Sequence, residues 1–336
     1  MGIPSEKKNP SAAHLCCGHW KRRSKSAIFV IFVMLLSYIY HSTIKTRRDI
    51  FSFPNTTSVP WKRSTAMFPY LIEEDKKCTS GPPFLLLLIP SRPEETQTRN
   101  VLRKTWANET LMEGVHITRL FLLGRPTSNE NGIQEKVIQE SSMFHDIIQQ
   151  DFIDSYNNLT LKTLMGMEWT SRLCPGVSYV MKIDTDMFFN PWFLVEKVLQ
   201  PKTPPRVNYF TGLVVIGGPP FRDKGSKWYV SFEAYSKNIY PPYCSGTGYV
   251  LSGDLAEKIY MQAESLNIFP FEDVFVGICL EKIGIQISKP AGNWFLGEKI
   301  EYSRCQFAKL ITVHRFTPDE LLKLWPDFTE AVKTCS

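Results

Sequence analysis

The sequence predicts an α/β sandwich with a mostly parallel central sheet, carried behind a single membrane anchor and a stem. Three observations predict it. Short uninterrupted apolar runs alternate with stretches of helical length between residues 82 and 313, which is how strands buried on both faces and their crossover helices read. One charge-free stretch near the start is long enough to span a bilayer. Between the two lies a polar segment containing Pro54, Pro60 and Pro69 with no sustained period, the texture of a linker.

The anchor comes first in the chain. Residues 27–40 read AIFVIFVMLLSYIY, and the window Ser26 to Ile44 holds no charge over 19 positions, close to the ~20 that a membrane span needs. Lys21, Arg22, Arg23 and Lys25 precede it and Lys45, Arg47 and Arg48 follow it, so the positive-inside bias favours a cytoplasmic N-terminus only slightly. A cleaved signal peptide is the competing reading. It is disfavoured because the apolar run starts far from the N-terminus and no small-x-small site follows Tyr38-Ile39-Tyr40. The short span, rich in Phe and Ile, suits a thin early secretory or Golgi membrane better than the thicker plasma membrane. The expected organisation is therefore a cytoplasmic tail over 1–26, a type II anchor over 27–44, a lumenal stem over 45–80 and a folded body over 81–336.

Charge and covalent signals agree with that layout. Residues 1–80 hold 13 basic and 5 acidic residues, whereas the remaining 256 carry a net charge of −2. The body thus has no basic excess for a phosphate backbone, and no nucleic-acid partner is expected. With 43% hydrophobic residues, disorder is excluded as well. Glycosylation sequons begin at Asn55, Asn108 and Asn158, all beyond the anchor. Six cysteines (Cys78, Cys174, Cys244, Cys279, Cys305, Cys335) lie on the same side at wide spacing, which suits disulfides in an oxidising compartment and leaves their pairing open. Cys16 and Cys17, beside the anchor, read equally as palmitoylation sites or as plain cytosolic thiols.

Within the body, strands are expected at Phe84 to Ile89, Thr118 to Leu123, Asp146 to Gln149, Tyr179 to Ile183, Tyr209 to Val215 and Leu310 to Val313. Helices are expected at Thr96 to Asn108, Ile133 to Phe144, Leu159 to Leu173, Trp192 to Leu199, Asp254 to Ser265 and Asp273 to Ile283. Ligands of open α/β sheets bind beyond the carboxyl ends of the strands, so the polar groups that follow each apolar run are the candidates. After Tyr179 to Ile183 come Asp184 and Asp186, which on an extended segment project to one side, as a divalent cation carrying a diphosphate requires. Glu272 and Asp273 open a helix after Pro270, where acidic residues also serve as caps or dipole complements. His314 ends the last strand, a position that a structural histidine could equally occupy. Arg99 and Arg103 share a helical face at i, i+4 just after the first strand.

In combination these stretches resemble the β-1,3-glycosyltransferase family, inverting sugar-nucleotide transferases of the Golgi, and within it the galactosyl branch. The resemblance covers about residues 82–335. It is carried by Arg99-x3-Arg103-x-Thr105-Trp106, the stretch from Phe152 to Thr163, Lys182-Ile183-Asp184-Thr185-Asp186, Cys244-Ser245-Gly246-Thr247-Gly248-Tyr249, Glu272-Asp273-Val274-Phe275-Val276-Gly277 and Thr312-Val313-His314. It implies a GT-A fold, UDP-galactose as donor, Mn2+ as cofactor and a glycan acceptor on glycoprotein or glycolipid. Residue by residue, it implies Asp186, Asp184 and His314 at the metal, with Asp184 also near the ribose. It further implies Arg99, Arg103 and Lys162 at the uracil or diphosphate, and Asp273, preceded by Glu272, as the catalytic carboxylates. Trp228, Tyr229 and Tyr243 are candidates for stacking on acceptor sugars, with core packing as the alternative. Asn158 lies at the start of a helix, where either a cap or a glycan would explain it. The implied reaction is inverting transfer of galactose in β-1,3 linkage to a terminal N-acetylhexosamine. A β-1,3-N-acetylglucosaminyltransferase, and an inactive chaperone or glycan-binding module on the same fold, are the alternatives.

Overall fold

A computed structural model describes residues 68–335. The expected tail, the anchor over 27–44, most of the stem and the sequon at Asn55 lie outside the described residues. No helix among the described residues is long and apolar enough to cross a membrane.

The first apolar run forms β2 (Leu85–Pro90), and it is buried on both faces as its unbroken pattern requires. Leu85, Leu87 and Ile89 enter one hydrophobic cluster while Leu86 and Leu88 enter another on the opposite face. Around it stand β3 (Ile117–Arg125), β4 (Ile147–Ile153) and β5 (Tyr179–Ile183), and the adjacent pairs in the order β4-β3-β2-β5 are all parallel. Their connections carry α1 (Thr96–Lys104), α2 (Ile133–Phe144) and α3 (Leu159–Leu173). The mostly parallel α/β architecture expected from the sequence is therefore present.

Both edges of the sheet turn antiparallel. On one side β1 (Tyr70–Ile72) pairs with β4, and Cys78 is disulfide-bonded to Cys174. Residues 68–80 consequently belong to the body, ahead of the boundary expected at residue 81. On the other side β8 (Tyr243–Ser252) runs antiparallel to β5, and β7 (Phe210–Val215) antiparallel to β8. β8 was not expected as a strand, because its first half, Tyr243 to Gly248, is polar and glycine-containing. The facing strand β7 carries a glycine for close approach: a Cβ at Gly212 would sit 3.0 Å from the Tyr249 Cβ across the ladder. β4 also continues past its expected end. Its buried Gln149 is satisfied by Gln134, at 2.6 Å, and by the Gly124 carbonyl, at 2.8 Å, so polar residues can occupy a central strand.

A second, three-stranded sheet joins β6 (Met187–Phe189), β9 (Phe295–Leu296) and β10 (Thr312–His314) in the order β6-β10-β9. The expected last strand thus starts two residues later and includes its histidine. α4 (Gly253–Glu264) and α5 (Glu272–Lys282) cover the β8 side, and α6 (Pro318–Thr334) closes the chain. At Asn158 the side chain makes no cap. Its Nδ2 instead donates to the Ile153 carbonyl at 2.8 Å, while the Asn108 Oδ1 accepts from the backbone N–H and hydroxyl of Thr110.

Candidate active site

The site is built at the carboxyl end of β5. Lys182, the last residue but one of the strand, is buried among carboxylates. Its Nζ donates to Asp184 Oδ1 at 2.7 Å and to the Gly246 carbonyl, and it lies 3.4 Å from Glu272 Oε2. Burial alone would lower the ammonium pKa, but the charges of Asp184 and Glu272 outweigh it and hold Lys182 protonated. The strand ends at Ile183, so Asp184 to Asp186 form a turn and the alternation expected of an extended pair does not apply. One carboxylate of the pair, Asp184, is engaged by Lys182 and its N–H donates to the Thr247 carbonyl at 3.2 Å.

Asp186 takes its direction from the second sheet. Pairing of β6 with β10 sets His314 opposite Met187, which brings His314 Nε2 to 3.1 Å from Asp186 Oδ2. The other ring nitrogen, Nδ1, lies 3.1 Å from the Gly297 carbonyl, the arrangement that orients a metal-binding imidazole. The indole of Trp106 donates to the Met187 carbonyl at 2.8 Å and braces the same turn. Asp186 is 53% exposed. Among the described residues no group of three or more His, Cys, Asp or Glu side chains gathers as a metal cage. The expected trio is thus realised as a pair, with Asp184 held apart on Lys182. An exposed carboxylate beside an oriented imidazole nevertheless fits a divalent ion that also takes ligands from a diphosphate.

Glu272 and Asp273 start α5, and they have separate environments. Glu272 is buried; its Oε1 accepts from the Tyr249 hydroxyl, and burial pushes its carboxyl up to about 7 against the pull of Lys182. Asp273 remains partly open. Its Oδ2 accepts from the Gly246 N–H at 3.1 Å and its Oδ1 from the Val274 N–H at 2.8 Å. Burial raises its pKa, and these N–H groups oppose the rise. A Cβ at Gly246 would come to 3.0 Å from Glu272 Oε2, a tight contact that Glu272 would have to yield to.

Arg99, Arg103 and Lys162 occupy different places from those the resemblance implied. The Arg99 guanidinium is wholly buried, at 2.6 Å from Glu140 Oε2, and also donates to Ser91 Oγ and to the Arg92 and Pro93 carbonyls. Arg103 bridges Glu140, at 2.8 Å, and Asp146, at 2.7 Å. Lys162 is buried, 2.8 Å from Asp154 Oδ2, and donates to the Ser91 carbonyl. Each cation is buried and paired with at least one carboxylate, so its charge is already neutralised within the fold. Arg99 and Lys162 instead clamp Ser91, the first residue after β2, from two sides.

The aromatic candidates lie in the loop that contains Trp228 and Tyr229 and at the start of β8. Trp228 is 43% exposed and meets Phe221 at 5.4 Å between ring centroids, so it is no core residue. Lys227 Nζ sits 4.5 Å from the Trp228 ring and 5.9 Å from that of Tyr156. Tyr243, half-buried, packs edge-on against Tyr240 at 6.3 Å, and the Asp273 charge adds to burial in raising its hydroxyl pKa. Tyr229, also half-buried, follows Trp228 in the same loop and pairs with Phe221.

The galactosyltransferase family matches residues 97–291. Over 259 residues the chain is 47% identical to human beta-1,3-galactosyltransferase 2, covering 77% of this chain and 61% of that protein. Over 290 residues it is 44% identical to mouse beta-1,3-galactosyltransferase 1, covering 86% of each. The chain belongs to the galactosyltransferase family. It spans about three fifths of the length of the first of these relatives. Among solved structures, the WbbM bifunctional glycosyltransferase aligns over 74% of this chain with 10% identity and a TM-score of 0.40, too remote to add to the sequence relationship.

Within this galactosyltransferase-family chain, the matched region contains Lys182, Asp184, Asp186, Gly246, Glu272 and Asp273, whereas His314 lies beyond it. Tyr156 escaped the sequence reading, although it lies in the Phe152 to Thr163 stretch. It is half exposed, and after burial and Trp228 its hydroxyl responds to the charges of Asp273 and Asp184. Glu140, Asp146 and Asp154, the partners of the buried cations, were missed too. Only their position in space reveals their role, since Glu140 is 41 residues from Arg99 and Asp146 is 43 from Arg103.

Proposed function

We propose that this protein transfers galactose from UDP-galactose, with inversion and in β-1,3 linkage, to a terminal N-acetylhexosamine of a glycoprotein or glycolipid glycan. The observation that carries the reading is the division of labour at the end of β5. One exposed carboxylate, Asp186, stands beside an oriented imidazole, and a separate half-open carboxylate, Asp273, is held by two backbone N–H groups. Family membership supports a galactosyl transfer, and two carboxylates in separate settings suit donor chemistry at one and acceptor chemistry at the other.

Asp186 and His314 would hold Mn2+, with Asp184 turned toward the ribose. When bound, the ion supplies Lewis-acid stabilisation of charge on the departing UDP. Asp273 takes the proton from the acceptor 3-hydroxyl as that oxygen attacks the anomeric carbon from the face opposite UDP. Two N–H donors aim Asp273 and oppose the rise in pKa that burial causes, and general-base assistance of this kind is worth about 10²–10⁴ in rate. Lys182 and Glu272 position the site: Lys182 ties Asp184 to the Gly246 carbonyl, while Glu272 ties Lys182 to Tyr249. Trp228, Tyr229 and Tyr243, joined by Tyr156, form the wall on which the acceptor ring rests.

The test offers the purified protein a panel of UDP-sugars and acceptor glycans with manganese and determines the linkage formed. β-1,3-Galactosyl product is expected; transfer of N-acetylglucosamine, or no transfer, overturns the assignment. We further place the protein in the Golgi membrane as a single-pass type II protein with the body lumenal. Supporting this are the charge-free segment at 27–44, the sequons and the two disulfides. Protease added to sealed vesicles should spare the body, and its digestion there would reverse the orientation.

A further inference from the structure

Antiparallel pairing of both β5 and β7 with β8 makes β7 parallel to β5. The carboxyl end of this edge strand therefore lies at the same end of the sheet as Asp184, where ligands of such sheets bind. A pocket of about 330 Å³ opens there, walled by Leu213, Val214 and Ile216 of the strand region and by Lys289, Asn293 and Trp294 of the segment after α5. That volume is at the lower end of ligand-binding pockets.

Its walls are the elements that hold the reacting groups. The register shift between Gly212 and Val214 sets Leu213 opposite the β8 interval from Cys244 to Tyr249. That interval contains Gly246, whose N–H holds Asp273. On the other wall the loop packs so closely that a Cβ at Gly297 would lie 2.9 Å from the Leu213 side chain, and the Gly297 carbonyl faces His314. The pocket is thus next to the reaction centre yet contains none of its proposed groups.

Its chemistry is that of a sugar site. Trp294 is held rigidly: its ring meets Phe193 edge-on at 5.4 Å and its carbonyl accepts from the N–H groups of Ile311 and Thr312. Gly292 lets the chain wrap the indole, since a Cβ there would stand 2.6 Å from Nε1. Ile216 is 61% exposed, and Lys289 and Asn293 are exposed as well. Among the described residues no hydrogen bond or ion pair engages the side chains of Trp294, Lys289 or Asn293. A flat ring, aliphatic edges and unspent polar groups together match a pyranose, which has a C–H face to stack and hydroxyls to pair.

We propose that this pocket is the subsite for the penultimate sugar of the acceptor, so that the protein selects its glycan by the second pyranose stacked on Trp294. The proposal rests on the transferase reading above. It is tested by ligand-observed NMR on the protein with UDP and manganese, using a methyl β-disaccharide ending in N-acetylglucosamine and the matching monosaccharide. In the wild type, saturation should reach both rings of the disaccharide. In Trp294→Ala, and in Asn293→Trp, which fills the pocket from an exposed position, it should reach the terminal ring alone. In parallel, the ratio of kcat/KM for disaccharide over monosaccharide should fall about tenfold, through KM. Should Trp294→Ala not fold, Asn293→Trp carries the test. Unchanged saturation of the second ring in the folded variants, or an unchanged ratio, overturns the subsite. If the wild type transfers to no acceptor, the transferase reading falls, and the NMR still decides whether the second ring occupies the pocket.

Discussion

Two neighbouring acidic positions can have opposite natures, and the site contains such a pair. Asp273 is half open and supported by N–H donors, whereas Glu272 is buried against Tyr249 and Lys182. Asp273→Asn should leave manganese-dependent UDP binding intact while transfer falls by about 10²–10⁴. Asp186→Asn removes charge from the exposed carboxylate beside His314, so UDP binding with manganese and turnover should fall together. Calorimetric titration alongside initial rates separates the two variants, and near-normal turnover in Asp273→Asn would remove it as the base. Glu272 makes a different prediction. Its folded pKa of about 7 lies above its ordinary 4.5, so the folded state retains a proton that the unfolded chain has lost. Its contribution to stability is therefore full below about 4.5 and declines as pH rises through 7. Urea unfolding of Glu272→Gln at several pH values should show a flatter profile over that window than the wild type.

Elements are placed by buried charge as much as by apolar faces. α1 has two arginines on one face, and both are spent: Arg99 and Arg103 share Glu140 of α2, and Arg103 also reaches Asp146 just before β4. Truncating Glu140→Ala leaves the Arg99 guanidinium buried without a carboxylate and Arg103 with Asp146 alone, a loss of about 3–5 kcal/mol. Denaturant titration should show it, and activity should drop with the loosened Ser91 loop. Helical periodicity made α2 and α3 legible to the residue, because their apolar positions recur against the sheet. It did not reveal α6, although Thr317 and Glu320 form a capping box with Pro318 at the first turn. β8 was hidden for another reason. Its Ser245-Gly246-Thr247-Gly248 core is neither apolar nor alternating, and it is a strand because β5 and β7 hydrogen-bond to it on both sides.

At the scale of the whole molecule, the disulfides join segments distant in the chain. Cys78 pairs with Cys174 across 96 residues and Cys305 with Cys335 across 30, while Cys244 and Cys279 remain buried thiols. Alkylation of the denatured, unreduced body should therefore label two of its six cysteines. Labelling of all six would refute both bridges, and labelling of none would add a third. Loops of this length stabilise by about 4–5 kcal/mol each in the chain-entropy account.

The sequence by itself determined the parallel core, because a strand buried on both faces must be apolar throughout, and it determined which chemical groups end those strands. It also indicated the family, through stretches such as Lys182 to Asp186 and Glu272 to Gly277 whose residue types must recur together. Tertiary structure alone decided which charges were available for chemistry. Arg99, Arg103 and Lys162 look like ligands in the chain and are neutralised in the fold by Glu140, Asp146 and Asp154. Asp186 finds His314 from 128 residues away, through the pairing of β6 with β10. A charge is defined by its surroundings, and those are assembled from segments whose proximity no local pattern records.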